Sequence, residues 1–393
     1  MNRRTFLALA GTAAATAVTG APRTRATLAA APALDRTSTW RPNPNPLLAV
    51  EWRYVAGRIA DDASDFGFIV ALSDTKFPIN SPTQELLVER QDFSGAKAFA
   101  TRPYTGTLTY DKDSATYSFQ DTQGQASASW QWDAGAGVYR LSVSSPELSL
   151  QNVVLRPQGD LIPEGGDGTI TIAPILGFPI GSDYYADWAA VEVGGVAQGV
   201  ARVDIQGLYL ASAAQNSRAL AAEASADYDH HWFAVAGQRD GAPVWISAWR
   251  IEAQDGPRWD VTIAQGAGST WQVASITEQS GAAFPLSVWP LAWQALPSSA
   301  AAAASGQRTG SAWHLSAGIS QPGDLIDLAI TVPPGQFAAS ARLGLIQGLD
   351  WVEEGVGTFA AGTVQSKPLT GVTLAVAETT AEFYVDYLPL TQR

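Results

Sequence analysis

The residues best suited to chemistry lie in the stretch from Asp227 to Phe233, which reads Asp-Tyr-Asp-His-His-Trp-Phe. It holds two of the three histidines of the chain, and histidine is the one side chain whose unperturbed pKa lies near neutrality. If the run that follows is a strand, its period of two places His230 and Trp232 on one face and Asp229 and His231 on the other. Only one of the two histidines can then face a given cavity.

A zinc site built from the histidines is a poor fit to this spacing. His230 and His231 are sequence neighbours that diverge in a strand, and His314 is distant in sequence. We therefore expect no metal site. The sequence also contains no nucleophile elbow, phosphate loop or dinucleotide fingerprint, so it gives no support to a serine hydrolase, a nucleotide-binding protein or a Rossmann fold.

The N-terminus is typical of a twin-arginine export signal. Arg3 and Arg4 precede an apolar run to about Ala21, and small residues offer cleavage sites up to about Ala33. No later stretch has the ~18 uninterrupted apolar residues of a spanning helix. We expect a protein that is exported to the periplasm or the medium, with no membrane span after cleavage.

Charge and sulfur content exclude several partners and chemistries. The net charge is −13, and it becomes −17 without the first 33 residues, which carry four arginines and no acid. No Lys/Arg cluster is visible, and nucleic acid and anionic membranes both require one, so the charge argues against these partners. The chain has no cysteine, which excludes disulfides and a thiolate nucleophile.

The pattern along the chain predicts an all-β protein. Residues 34–47 are rich in proline and predict an extended lead-in. Short alternating runs separated by turn residues predict strands at 51–59, 66–72, 85–91, 106–110, 115–120, 126–132, 138–144 and 148–155. Such even spacing is typical of an antiparallel barrel or sandwich.

A second set of strands follows an irregular stretch. Residues 158–182 are rich in Gly, Pro and acids and predict a linker or lid. Further runs predict strands at 184–193, 201–210, 230–236, 244–253, 258–263, 270–276, 286–293, 312–319, 325–332, 351–359, 372–377 and 381–387. A helix is predicted only at 211–226, and residues 298–305 predict a solvated loop.

Several motifs, taken in order, resemble the lipocalin-like family that includes carotenoid 1,2-hydratases and AttH-like secreted proteins. Family members open with Glu-Trp-Trp-Tyr-x-x-Gly, and residues 51–57 read Glu-Trp-Arg-Tyr-Val-Ala-Gly. Three later segments are also similar to family segments. They are the Tyr184-Tyr185 pair, the segment Asp229-His230-His231-Trp232, and the strand with Trp351, Glu353 and Glu354. The match spans most of the chain after the signal, through order and spacing.

The resemblance implies two lipocalin-like antiparallel β-barrel domains packed together, with a largely apolar cavity. It implies chemistry in which an acid protonates an isolated double bond of a terpenoid or polyene and water captures the cation, or related isomerisation and cyclisation, without a cofactor. The family's division predicts domains at 48–236 and 237–393, after the signal at 1–33 and the lead-in at 34–47.

The resemblance also selects candidate site residues. His230 would hold or relay a proton, with Asp229 as its carboxyl partner, and Trp232 would line the site and could stabilise a cation through its ring face. The remaining candidates for substrate binding are Tyr184, Tyr185, Glu51, Trp52, Tyr54, Trp249, Trp351 and Glu353. Each has a structural alternative: a core histidine, core aromatics, or an ion pair between Glu51 and Arg53.

One departure from the family bears directly on the reaction. The hydratases carry a Tyr-x-Asp pair on the strand after the histidine motif, whereas residues 244–252 read Val-Trp-Ile-Ser-Ala-Trp-Arg-Ile-Glu. Protonating an alkene requires a buried carboxyl of raised pKa, and Asp229, Glu252, Glu353 and Glu354 are the substitutes in sequence. The sequence thus leaves open an enzyme, a carrier of hydrophobic ligands, or a surface-associated structural module.

Overall fold

The structure is a computed structural model of the chain. It describes residues 34–76, 83–93, 99–164, 168–175, 178–210, 230–253, 256–265, 272–277, 311–317, 325–332, 338–340, 350–357 and 359–382. Strands dominate these ranges, and α1 (Arg36–Trp40) is the one helix among them. None of the described helical segments has the length and apolarity needed to cross a bilayer.

Ten of the strands close into one antiparallel barrel. Eight of them form a meander, and the last two complete the ring because the final strand pairs with β1, where Val55 lies opposite Val203. The barrel strands are β1 (Leu48–Ala60), β2 (Asp65–Thr75), β3 (Thr83–Asp92), β4 (Phe99–Asp111), β5 (Thr116–Asp121), β6 (Ser127–Asp133), β7 (Val138–Ser144), β8 (Ser149–Pro157), β11 (Phe178–Val193) and β12 (Val196–Leu210).

The barrel interior follows from alternation in the sequence. In β5 and β6 every second residue is buried, as the period of two requires for strands with one face on a core. The interior contains Phe68, Trp130, Tyr139 and Leu141, all fully buried. Aromatic side chains therefore fill much of the barrel interior.

Residues 34–47 differ from the predicted extended lead-in. Asp35 caps α1 by accepting hydrogen bonds from the amides of Thr37 and Ser38, and the helix ends in Trp40, which is fully buried. The Trp40 indole nitrogen donates to the Ala115 carbonyl at 2.9 Å. Five helical residues are too few to be stable alone, so burial of this indole in the barrel stabilises the turn.

After the barrel, the chain forms two further sheets that pack on each other, and we call these two sheets together the second layer. One of its sheets runs through β16 (Gln272–Thr277), β15 (Gly256–Gln265), β14 (Ala242–Ala253), β13 (His230–Arg239), β23 (Thr370–Glu382), β20 (Asp350–Gly357) and β19 (Ala338–Ser340). The other holds β17 (Ser311–Ala317), β18 (Ile326–Val332), β21 (Phe359–Val364) and β22 (Lys367–Pro368). Phe233, Ile246, Leu328 and Ile330 belong to the core between these sheets.

The outer face of the barrel packs against the outer face of the second layer, and we call this contact layer the junction. It joins residues of β1, β2, β11 and β12 to residues of β13, β14, β20 and β23, among them Tyr54, Trp188, Trp232 and Val376. A Cβ atom at Gly67 would lie 2.6 Å from Cγ1 of Val356, so the missing side chain lets the two layers approach closely.

The stretch predicted as a linker or lid is partly sheet. It contains β9 (Ile162–Pro163) and β10 (Thr169–Ile175), and β11 begins within it. β10 pairs with β11 and, through Ile172 and Ala253, with β14, so it connects the barrel to the second layer. The prediction of irregular structure here was wrong because the glycines and prolines separate short strands instead of preventing them.

The all-β prediction is confirmed, and most barrel strands lie close to their predicted limits, although β4, β11 and β12 begin several residues earlier than predicted. The predicted boundary between residues 236 and 237 falls inside β13, whose partners β14 and β23 both belong to the second layer. The predicted helix at 211–226, the strand at 286–293 and the loop at 298–305 lie outside the described residues.

Candidate functional site

The junction contains a group of buried charges centred on Arg202 of β12. Alternation along this strand places Ala201 and Val203 in the barrel core, and it places Arg202 and Asp204 on the outer face. That outer face is covered by the second layer, so Arg202 is 0% exposed and Asp204 is 3% exposed. Charged groups this deep are stable only when they are paired.

Arg202 is paired with two carboxylates at once. Its Nη2 lies 2.6 Å from Oε1 of Glu164, and its Nε donates to Oδ1 of Asp204 at 3.0 Å. The Tyr184 hydroxyl donates to the same Oδ1 atom at 2.9 Å. One guanidinium therefore offsets two buried acids, and the group of ionised side chains carries one negative charge unless a carboxyl is protonated.

Glu164 joins this group to the second layer. It follows β9 directly and is fully buried. Ser247 of β14 donates to its Oε1 at 3.3 Å, and Thr262 of β15 donates to its Oε2 at 3.2 Å. The carboxylate thus receives hydrogen bonds from both layers, which fixes its position.

Indole rings enclose the guanidinium. The Arg202 guanidinium carbon lies 5.4 Å from the ring centroid of Trp188 and 5.2 Å from that of Trp232, within the range of cation–π contacts. Trp249 meets Tyr184 edge to face at 5.0 Å. We call Glu164, Tyr184, Trp188, Arg202, Asp204 and Trp232 the junction cluster.

The electrostatics of the junction cluster favour a proton on Asp204 at mildly acidic pH. Burial raises the pKa of Asp204 to about 6, although Arg202 opposes the shift. Burial also raises the pKa of the Tyr184 hydroxyl well above its usual value. Asp204 can therefore give and take a proton near neutrality, while Tyr184 remains a neutral donor.

The junction cluster is not arranged as a metal site. Among the described side chains, no group of three histidines, aspartates or glutamates could hold a metal ion. The carboxylates of Glu164 and Asp204 already contact the Arg202 cation, which competes with a second cation for the same oxygens.

Five of the predicted binding residues lie at the junction. Tyr184, Trp232 and Trp249 belong to or contact the junction cluster, and Tyr54 meets the Trp232 ring edge to face at 5.8 Å. Trp52 packs on the same layer and is partly buried. The structure thus brings together residues that are as far apart as β1 and β14.

Glu51 and Tyr185 lie elsewhere, toward the barrel. Glu51 forms a buried ion pair with Arg53 at 2.7 Å, as the structural alternative predicts. The Arg53 guanidinium also lies 5.0 Å from the Tyr117 ring centroid and donates to the Trp40 carbonyl. Arg53 therefore holds the N-terminal segment in place. Tyr185 packs against the barrel core and lines, with Glu51 and Arg53, a cleft of about 230 Å³ at the barrel rim.

The predicted catalytic pair remains a prediction. His230 begins β13, where its backbone pairs with Ile251 two positions before Trp232. Its side chain lies outside the described part of the structure, as do Asp229 and the side chains of Trp351 and Glu353 on β20.

Arg202, Asp204 and Glu164 were missed by the sequence reasoning. Arg202 and Asp204 alternate with apolar residues, the ordinary pattern of a strand with one solvent-facing side. Glu164 lies in the stretch predicted as a linker. The available signal was the charged pair two residues apart in a strand that follows the Tyr184-Tyr185 motif.

A second unusual acid lies on the same barrel face. Arg202 of β12 lies opposite Ala56 of β1, Ala56 lies opposite Ile69 of β2, and Ile69 lies opposite Glu89 of β3. Glu89 is therefore three strands away from Arg202 across the sheet. Glu89 is fully buried, and both carboxyl oxygens have no hydrogen-bond partner in the described part of the chain. Burial raises its pKa well above the usual value, so it is a neutral acid across a wide pH range.

The Glu89→Gln variant should remove a pH dependence of folding stability. The folded-state pKa of Glu89 lies above its unfolded value of about 4.3. The contribution of protonated Glu89 to the free energy of unfolding is therefore fully present below about pH 4 and is lost as the pH rises toward the raised pKa. The wild type should therefore lose free energy of unfolding as pH rises above about 4, and the variant should lose less over the same range. Urea titrations across this range measure the effect. Glu192→Gln, in a surface pair with Arg156, is the control, and parallel wild-type and Glu89→Gln curves would contradict the prediction.

Comparison with solved structures finds several that are similar to this chain over most of its length. The similar structures include a protein from Nitrosomonas europaea assigned as an AttH, at 15% identity and a TM-score of 0.48, covering 88% of this chain and 96% of that chain. Kievitone hydratase from Nectria haematococca follows at 11% identity and a TM-score of 0.45, covering 90% and 94%. CghA matches at 8% identity and a TM-score of 0.44, covering 85% and 89%.

The first of these neighbours is described as an AttH, and AttH-like proteins belong to the family that the sequence resembles. No protein-family model matches the chain, and no curated protein matches its sequence. At such low identities the likeness concerns the fold alone, and the chemistry must be argued from the junction cluster itself.

Proposed function

We propose that the protein is an enzyme that binds a hydrophobic terpenoid or polyene-like molecule at the junction and catalyses its hydration, isomerisation or cyclisation by proton transfer from Asp204. The observation that carries this proposal is a buried carboxyl of pKa about 6, held by Arg202 and Tyr184 in a layer of indole rings. Strongly perturbed acids in apolar surroundings are typical of catalytic sites.

The proton balance of such a reaction needs one acid that is regenerated. Protonated Asp204 gives its proton to one carbon of a double bond and becomes a carboxylate. In hydration, water adds to the other carbon and returns a proton to the carboxylate; in isomerisation, a neighbouring carbon returns it. Tyr184 and Arg202 stabilise the carboxylate form through the hydrogen bonds that they already donate to it.

The sequence-derived pair of His230 and Asp229 is a second candidate for proton transfer. Its position two residues from Trp232 in β13 puts its backbone close to the junction cluster. Comparing His230→Ala with Asp204→Asn separates the two assignments. If His230→Ala leaves turnover intact, His230 has no part in the proton transfer.

A hydrophobic-ligand carrier is the alternative function. Carriers with closed barrels hold ligand in the barrel lumen, but in this barrel Trp40, Trp130 and Tyr139 pack together in the interior. This packing supports the enzyme over a carrier that uses the barrel, because it removes lumen volume.

Product analysis distinguishes the enzyme from the carrier. Purified protein without residues 1–33 is incubated with extracted apolar metabolites and followed by mass spectrometry. The enzyme yields a product heavier by one water, or an isomer of altered retention, and its rate falls above about pH 6 as Asp204 ionises. Unchanged ligand that co-purifies with the protein would instead support the carrier.

Export through the twin-arginine route is proposed from the N-terminal sequence. Replacing Arg3 and Arg4 by lysine should retain the protein, unprocessed, in the cytoplasm. N-terminal sequencing of the wild type recovered outside the cytoplasm identifies the cleavage site. Equal export of the two forms would refute the assignment.

A further inference from the structure

Two buried hydrogen-bond donors of the junction cluster have no acceptor. They are Nη1 of Arg202 and the indole Nε1 of Trp232, and neither has a partner within the described part of the chain. Both side chains are almost fully buried, at 0% and 3% exposure. Buried donors without partners are rare in folded proteins because they lose their hydrogen bonds to water and gain none.

The other two nitrogen atoms of the Arg202 guanidinium have acceptors, so Nη1 is the nitrogen without one in the described part of the chain. Nε and Nη2 reach Asp204 and Glu164, so the guanidinium is fixed with only its Nη1 edge unpartnered. The Trp232 ring lies 5.2 Å from the guanidinium carbon, so both donors belong to one pair of contacting side chains.

We propose that the ligand carries a carbonyl oxygen that accepts hydrogen bonds from Arg202 Nη1 and Trp232 Nε1. This inference rests on the proposed function, since it assigns the substrate class of the same site. Both protein groups are donors only, so the ligand atom must be an acceptor. Glu164 and Asp204 lie beside Arg202, so a ligand carboxylate would add a third acidic group to a desolvated cluster, and a neutral carbonyl fits better.

The same contacts disfavour a substrate with only isolated double bonds. Protonating such a bond places a cation in the site, and ring faces of Trp188 and Trp232 that could stabilise it already contact Arg202. A double bond conjugated to the carbonyl avoids this difficulty. Hydrogen bonds to the oxygen then polarise the double bond toward proton transfer with Asp204. The substrate class is therefore an apolar, conjugated ketone.

Matched ligands and matched tryptophan variants test this assignment. Calorimetry measures binding of β-ionone and progesterone, and of the corresponding hydrocarbons in which each carbonyl is a methylene group. In the wild type the ketones should bind at least about tenfold more tightly than the hydrocarbons. Trp232→Phe keeps an aromatic ring but removes the N–H donor, so it should weaken ketone binding about tenfold and leave hydrocarbon binding close to the wild-type value.

Trp188→Phe is the matched control on the other ring that contacts Arg202. Its indole nitrogen is not among the buried donors without a partner, so its exchange should change the binding of both ligand classes alike. Equal affinity of ketones and hydrocarbons, or a ketone preference that Trp232→Phe does not reduce, would overturn the carbonyl assignment and leave the proposed function standing. Failure of both ligand classes to bind would overturn both.

Discussion

Asp204→Asn should lower the rate of turnover by about 10²- to 10⁴-fold, the usual contribution of a general acid. The exchange keeps the shape of the side chain and an oxygen that can accept hydrogen bonds from Arg202 and Tyr184, so the site should remain folded. What it removes is the ionisable proton whose pKa burial raises to about 6. The measurement is the initial rate of product formation from the apolar substrate, followed by mass spectrometry.

The pH profile gives this prediction a second readout. The wild-type rate should fall about tenfold per pH unit above about 6, because only the protonated form of Asp204 donates. The residual rate of Asp204→Asn should lack that limb. Asp187→Asn is a suitable control, since Asp187 is a buried carboxylate of the barrel that pairs with Arg36 at 2.6 Å. A full rate in Asp204→Asn, or an equal loss in Asp187→Asn, would contradict the assignment.

Arg202→Met should reduce the free energy of unfolding by about 3–5 kcal/mol at neutral pH, the usual effect of removing one partner from a buried ionic group. Methionine fills much of the space but leaves Glu164 and Asp204 without a cation in the junction. Burial already raises the pKa of Asp204, and loss of the Arg202 cation, which opposes that shift, raises it further. The stability that protonated Asp204 contributes is present below about pH 4 and is lost as pH rises, so the deficit of the variant should shrink toward acid pH. Urea denaturation at acid and neutral pH measures it.

Arg156→Met is the matched control for this prediction. Arg156 also pairs with a carboxylate, Glu192, but its side chain is about half exposed, so its replacement should change stability far less than Arg202→Met does. Arg202→Lys should fall between the wild type and Arg202→Met, because lysine retains the charge but not the fork that reaches two carboxylates. A deficit in Arg202→Met that is the same at both pH values would show that lost packing, not charge, accounts for it.

The barrel could be predicted from the sequence because its information is local. Strands such as β5 and β7 have one face on the core and one in solvent, so alternation alone marks them. Helix α1 could not be predicted this way. Its five residues form a helix because Trp40 packs against Tyr117, Trp130 and Tyr139, which are distant in sequence.

The site was only half predictable for a related reason. The family motif marks Tyr184 and Trp232 because large aromatic residues stand out at fixed spacing. Arg202 and Asp204 look like the solvent face of a strand, and only the docking of a second layer turns that face into an interior. A strand such as β12 has one face in the barrel core and its other face covered by the second layer. That second burial depends on how the layers assemble, and the sequence of the strand alone does not reveal it.

The closure of the barrel by β1 and β12 has a consequence for how the chain reaches this structure. Arg36 and Asp187, which bond across the same barrel, are separated by 151 positions, and Val55 and Val203 are comparably distant. β1 and β12 cannot pair until the strands between them have formed. The chain therefore loses the conformational entropy of closing a long loop before the hydrogen bonds between β1 and β12 compensate for it. The junction, which needs the outer faces of β1 and β12 side by side, can assemble only after that late step. Burial of Arg202, Asp204 and Glu164 should therefore be a late event in folding. A chain that ends before β12 can form neither the closed barrel nor the site.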